Sequence, residues 1–168
     1  MKNFAIQTAD GATHWVSRSV AVVSLILVEG KDSNRYVLAN KRGIGAPDYV
    51  GMWNCPCGYL DYDETGEEGA SRELFEETGF IIDPSEMKLL SISTDPRENR
   101  QNVVIVYYSC LNEDDLVRKE PEGGEENEVE AVRFININNI DDYEWAFGHD
   151  KLIKDYFGYI FIKHILGE

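Results

Sequence analysis

The chain has 168 residues, 43% of them hydrophobic, which suits one domain with an enclosed core. Sixteen basic against thirty-one acidic residues give a formal net charge of −15, which argues against phosphate-neutralising affinity for duplex nucleic acid but not against a small anionic ligand held through a metal. Three cysteines make no disulfide framework, MKNFAIQTAD has no signal pattern, and no apolar run reaches membrane-spanning length, so a cytoplasmic protein without a membrane partner is expected.

Residues 1–16 read as an N-terminal β-hairpin, two short extended segments around Asp10-Gly11, a dipeptide suited to tight turns. This hairpin precedes the sheet core and offers a pairing edge for a homodimer. SRSVAVVSLILV is a continuous β-branched run, as in a strand buried on both faces, and RYVLANKR predicts its neighbour. IGAPDYVGMWNCPCGYL is broken by Gly and Pro, so it predicts loop with a short strand near Trp53. Beyond a central helix, MKLLSIST, NVVIVYYSCL and EAVRFININ are three further strand candidates. NEDDLVRKEPEGGEENEVE reads as an exposed acidic loop. In 148–166, Leu152, Ile153, Tyr156, Phe157, Ile160 and Phe161 recur at helical intervals and mark a closing amphipathic helix. With strands dominant and no internal repeat, the expected class is α+β in a single domain, 1–168.

The central helix carries an unusual charge pattern. Thr65 followed by Glu68 has the form of a capping box, placing the start near Gly66, and Gly79 is a natural C-terminal stop. Glu73, Glu76 and Glu77 then fall within roughly a 100° arc of its last two turns. Like charges at these spacings each cost a helix about 0.2–0.5 kcal/mol. Carboxylates in the last turn also oppose the macrodipole, by roughly 0.3–1 kcal/mol each. A solvated acidic face is the plain explanation. The alternative is a site for hard divalent cations, Mg²⁺ or Mn²⁺, which take oxygen ligands from a few carboxylates together with substrate phosphates. Arg72 beside this face is the expected partner that orients a carboxylate while metal is absent.

Gly58, five residues, Glu64, seven residues and then RELFEETGF, residues 58–80, resembles the Nudix box, G-x5-E-x7-R-E-U-x-E-E-x-G-U with U apolar. Gly58, Glu64, Arg72, Glu73, Leu74, Glu76, Glu77, Gly79 and Phe80 fill every fixed position. The resemblance implies an α/β/α sandwich with a mixed central sheet, and hydrolysis of a nucleoside diphosphate linked to another moiety. It further implies Glu73, Glu76 and Glu77 as metal ligands, Glu64 as a supporting carboxylate and Arg72 as the orienting residue. A main-chain carbonyl from the residue before the box glycine, here Cys57, commonly joins them; this chain has Pro-Cys-Gly where Pro-Gly-Gly is usual. The expected chemistry is two or three metal ions bridging the diphosphate, with a loop carboxylate taking the proton from the attacking water. Glu126 and Glu128, with Glu125 behind them, are the candidate bases, against the plain reading of a solvated Glu-rich loop.

Arg97 and Arg100 in DPRENRQN, and Arg42 at the end of a strand, are candidate substrate contacts because Arg suits bidentate phosphate binding, although charged loops need no ligand. Tyr49, Trp53 and Tyr59 offer stacking surfaces for a base, against the commoner role of packing a core. Cys55 and Cys57 form a C-x-C that is weak as a zinc motif, and His149 suits capping or packing at the last helix. Two rival classes are an isopentenyl diphosphate isomerase, disfavoured because no histidine follows Cys55, and a non-catalytic nucleotide-sensing Nudix domain, disfavoured by the complete set of carboxylates. Among hydrolases, ADP-ribose or another nucleotide-sugar or dinucleotide is favoured over a nucleoside triphosphate.

Overall fold

A computed structural model describes residues 3–120 and 127–167. The strand β3 (Ser19–Glu29) organises the molecule. It pairs in parallel along its whole length with β9 (Asn102–Asn112), from Ser19↔Asn102 to Glu29↔Asn112. Its other edge is shared: β4 (Arg35–Arg42) pairs antiparallel with the C-terminal end, and β6 (Cys57–Tyr59) with the N-terminal end at Ala21, Val22 and Val23. The sheet runs β11-β4-β3-β9-β8, where β8 is Lys88–Ser93 and β11 is Val129–Asn136, with β5 (Trp53–Asn54) attached to β4. Parallel and antiparallel pairs coexist, giving the mixed sheet expected.

Helix α1 (Gly66–Thr78) covers one face and α2 (His149–Leu166) the other. The period of two in β3 divides its side chains between them. Val22, Ile26 and Val28 pack with Ala70 and Leu74 of α1, while Val23, Leu25 and Leu27 pack with Ile153, Ile160 and Phe161 of α2. This double burial explains the unbroken apolar run. Ser24, the polar exception, donates its hydroxyl to the carbonyl of Ala70 at 2.8 Å and ties α1 to the sheet.

The N-terminal segment forms a separate two-stranded ribbon, β1 (Phe4–Gln7) with β2 (Thr13–Val16), turning through Gly11 at φ +87°. The turn spans five residues rather than two, closed by Thr8 and Ala12. The acidic segment after β9 is not wholly irregular: it carries β10 (Val117–Arg118), which pairs with β7 (Phe80–Ile81) just beyond α1. Glu125 and Glu126 lie outside the described residues. Among the described residues no helix is long and apolar enough to cross a membrane.

Candidate active site

Both ends of α1 are fixed as its sequence directs. The Thr65 hydroxyl accepts from the Glu68 amide at 3.3 Å, and the Glu68 carboxylate accepts from the Thr65 amide at 2.7 Å, completing the capping box. Such a cap contributes about 0.5–2 kcal/mol. Gly79 closes the helix at φ +75°, in the left-handed region that favours glycine, its N–H donating to the Phe75 carbonyl at 2.8 Å. The helix is thereby held rigidly with its acidic face against β6.

Arg72 gathers that face. Its Nε and one terminal nitrogen form a fork on Glu64, at 3.0 and 2.7 Å, and the same terminal nitrogen reaches the Tyr59 carbonyl at 2.9 Å. The other terminal nitrogen bridges Glu73 at 2.8 Å and Glu76 at 3.2 Å. The guanidinium holds the Glu64 carboxyl below its ordinary range, and Glu64 in turn raises Arg72. Gly58 is required by the same geometry: a Cβ there would land inside the Glu73 carboxylate.

Glu77 occupies the deepest position, 8% exposed, with Oε2 accepting from the Cys57 amide at 2.9 Å. Burial drives its pKa well up. The Cys57 N–H opposes this, Glu73 and Glu128 add to it, and Arg42 opposes it. Burial also raises Glu73, against the pull of Arg72 and with smaller pushes from Glu76 and Glu128. Burial first, and neighbouring carboxylates second, thus disfavour the anionic forms of both Glu73 and Glu77. At Cys57 it is the amide that faces the carboxylates, while the side chain packs with the core cluster of α2 and accepts from the Asn54 amide at 3.4 Å. The Pro-Cys-Gly sequence therefore puts no side chain between β6 and Glu77.

As the side chains stand, no three His, Cys, Asp or Glu groups among the described residues converge as a metal cage. The donor set nevertheless fits a hard divalent cation: three carboxylates on one rigid face, two destabilised as anions by burial and by one another. Close by, the register partners Asn40 and Asn54 leave three buried polar atoms without a hydrogen-bond partner. Burial pushes the Cys55 thiol up to about 12 and the Cys57 thiol well above its usual value.

The other expected residues divide clearly. Glu128 is half-buried and its charge acts on both Glu73 and Glu77; its carbonyl accepts from the Gly43 amide at 2.6 Å, fixing its place. Arg42 is buried, donating to the Asp48 carbonyl at 2.9 Å and carboxylate at 2.8 Å. Arg97 closes on Asp95 with its side chain 88% exposed, and Arg100 is exposed; neither touches the carboxylates. Trp53 is core, edge-on to Tyr143, whereas Tyr59 is exposed and accepts from Gln101. His149 is buried and its Nδ1 accepts from the Cys55 amide at 3.0 Å, a structural role.

One residue was not anticipated. Arg118 caps the end of α1 by donating to the Thr78 carbonyl at 3.2 Å and lies over the Phe80 ring. It lines a cleft of about 320 Å³ with Glu76, Glu77 and residues 129–132 of β11. Nothing in its local sequence signalled this role, because only the pairing of β10 with β7 brings it to the helix C-terminus, where its charge complements the dipole.

The family model described as NUDIX domain matches residues 18–156. The chain is 32% identical over 109 residues to the ADP-ribose pyrophosphatase of Methanocaldococcus jannaschii, a match covering 64% of this chain and 59% of that protein's length. The Nudix domain of Shewanella oneidensis NrtR, solved in complex with ADP ribose, superimposes with a TM-score of 0.63 at 21% identity, covering 83% of this chain and 86% of that one. The bifunctional NMN adenylyltransferase/ADP ribose pyrophosphatase of Francisella tularensis, solved with AMP and a manganese ion, gives a TM-score of 0.66 at 21% identity, covering 86% of this chain and 42% of that one. These two likenesses show the fold. The chain belongs to the NUDIX domain family.

Proposed function

We propose that this protein is a divalent-metal-dependent pyrophosphohydrolase that cleaves a nucleoside diphosphate linked to a second moiety, with ADP-ribose or a related nucleotide-sugar or dinucleotide as substrate. The observation that carries this reading is the assembled carboxylate face of α1, gathered by Arg72 and set against the Cys57 amide. The name of the Methanocaldococcus relative and the ADP ribose in the Shewanella complex support the substrate class.

Glu73, Glu76 and Glu77 would hold Mg²⁺ or Mn²⁺, with the Cys57 main chain beside them. When bound, such ions neutralise the phosphoryl oxygens, acidify water and stabilise the departing phosphate oxygen. Arg72 keeps its place when Glu73 and Glu76 turn away, because Glu64 and the Tyr59 carbonyl hold it independently. Glu128, whose charge acts on Glu73 and Glu77, would take a proton at its carboxylate, and Glu126 is the second candidate.

Incubation with ADP-ribose, NADH and nucleoside triphosphates in Mg²⁺ or Mn²⁺, with products separated by chromatography, tests the reading. AMP and ribose 5-phosphate are expected from ADP-ribose. Binding of ADP-ribose without turnover in either metal would assign a sensing domain instead.

A further inference from the structure

Two side-chain amides lie beneath the carboxylate face without the partners such groups need. Asn40 is 1% exposed and Asn54 is fully buried. Among the described residues, no protein group bonds Oδ1 or Nδ2 of Asn40, or Oδ1 of Asn54. Buried polar atoms are otherwise satisfied almost everywhere in folded proteins, by protein groups or by ordered water.

The two amides face each other. Asn40 and Asn54 are register partners in the β4–β5 pair, so their side chains share a face and start about 5 Å apart at Cβ. On the other side of Asn40 the partner in β11 is Val132, which has no polar group to offer. Along β4 the same face carries Leu38 and Arg42, and the Arg42 guanidinium is taken by Asp48. These neighbours also fix the place relative to the site. Leu38 belongs to the cluster around Leu74, about one turn before Glu77, while Val132 lines the cleft with Glu77.

Asn54 has its nitrogen in use. Nδ2 donates to the Cys55 carbonyl at 2.8 Å and to the Cys57 sulfur at 3.4 Å, gripping the turn from which the Cys57 amide reaches Oε2 of Glu77. The atoms left over are two acceptors and one donor. A water molecule, with two O–H groups and a lone pair to receive the Asn40 N–H, complements that set. A cation would meet the same N–H, and a direct bond between the amides would leave one acceptor over.

We propose that a single buried water bridges Asn40 to Asn54, and that this bridge braces the Cys55–Cys57 turn so that the Cys57 amide holds Glu77. Asn40 is then a positioning residue, acting on the carboxylate through the water and Asn54. The inference rests on the metal-dependent reading only for the use to which Glu77 is put.

Asn40→Thr and Asn40→Val test it, because the two replacements share a shape and a strand preference and differ in a hydroxyl that bonds water. A high-resolution crystal structure of the natural protein should show one water within hydrogen-bonding reach of both amides. In EDTA, the Cys57 amide of Asn40→Val should exchange with solvent about 10-fold or more faster than that of Asn40→Thr, while the Gly79 amide, which closes α1, exchanges alike in both. Mn²⁺ should bind Asn40→Val about 10-fold or more weakly than Asn40→Thr. Were the amides merely unpaired, Asn40→Val would melt above the natural protein, having lost two unsatisfied atoms, and would match Asn40→Thr in Cys57 exchange and Mn²⁺ affinity. That match overturns the proposal, as does a crystal structure in which Asn40 and Asn54 bond each other with no water between them. The water and the contrast at Cys57, in a natural protein that binds no Mn²⁺, would sustain the bridge and defeat the metal-dependent reading.

Discussion

The Cys57 amide and Oε2 of Glu77 lie 2.9 Å apart, and this bond fixes the deepest carboxylate of α1 to the strand beside it rather than leaving it to solvent. The cost of that placement is charge. Burial, with Glu73 and Glu128 adding to it, lifts the Glu77 carboxyl well above its ordinary range, against the Cys57 N–H and Arg42. A carboxyl raised on folding contributes stability that is present below its unfolded pKa and lost as pH rises through its folded value.

Glu77→Gln keeps an oxygen for Cys57 and removes the charge. In EDTA at pH 8 the variant should melt higher than the natural protein, by about 2–4 °C for each kcal/mol relieved, with a smaller gain at pH 5. Turnover should fall at least about 100-fold. Calorimetry and a product assay on the same preparations check both halves.

Arg72 is predicted to act through its shape as well as its charge. Lysine cannot make the fork to Glu64 while also bridging Glu73 and Glu76. Arg72→Lys should therefore lose roughly 10–100-fold in kcat. Saturating Mg²⁺ should recover melting temperature in this variant, since a ligand of the native state stabilises it by mass action, but not kcat.

Gly58→Ala places a methyl group where the Glu73 carboxylate lies. The carboxylate must move, so metal affinity measured by calorimetric titration should weaken about 10-fold or more. Circular dichroism should show the sheet and helices intact.

His149 supplies a pH signature separate from the carboxylates. Burial, reinforced by the Arg42 charge and weakly opposed by Asp150, lowers its pKa to about 4 from the ordinary 6.5. Here the unfolded chain binds the extra proton, so stability rises as pH climbs from about 4 to 6.5 and the contribution is complete above that. Its size is on the order of 3 kcal/mol. His149→Asn should flatten this part of the stability–pH curve, measured by urea unfolding at intervals between pH 4 and 7.

The parts of the molecule written in regular patterns were legible from the chain alone. The β-branched run of β3, the capping box at Thr65, the stop at Gly79 and the apolar spacing of α2 each state a local preference that the fold obeys. The box spacing likewise located Arg72 and its three partners Glu64, Glu73 and Glu76, because one helix and its preceding loop carry them all. What could not be read depends on pairing between distant segments. The two-residue strands β7 and β10 have no periodicity, so Arg118 looked like ordinary loop charge. Nothing local distinguishes Phe147 from a core aromatic, since its exposure and positive φ follow from the docking of its loop on Trp53. Arg97, a candidate for phosphate contact, is paired with its neighbour Asp95, a partner that the spacing of charges alone did not single out.

The central claim is that the carboxylate face of α1 binds divalent cations on which a diphosphate is cleaved. Titration of Mn²⁺ followed by electron paramagnetic resonance, with a non-hydrolysable ADP-ribose analogue present, tests it most directly. The natural protein should hold at least one ion, and Glu73→Gln, Glu76→Gln and Glu77→Gln should each weaken binding about 10-fold or more. Equal Mn²⁺ binding by the natural protein and the triple variant would contradict it.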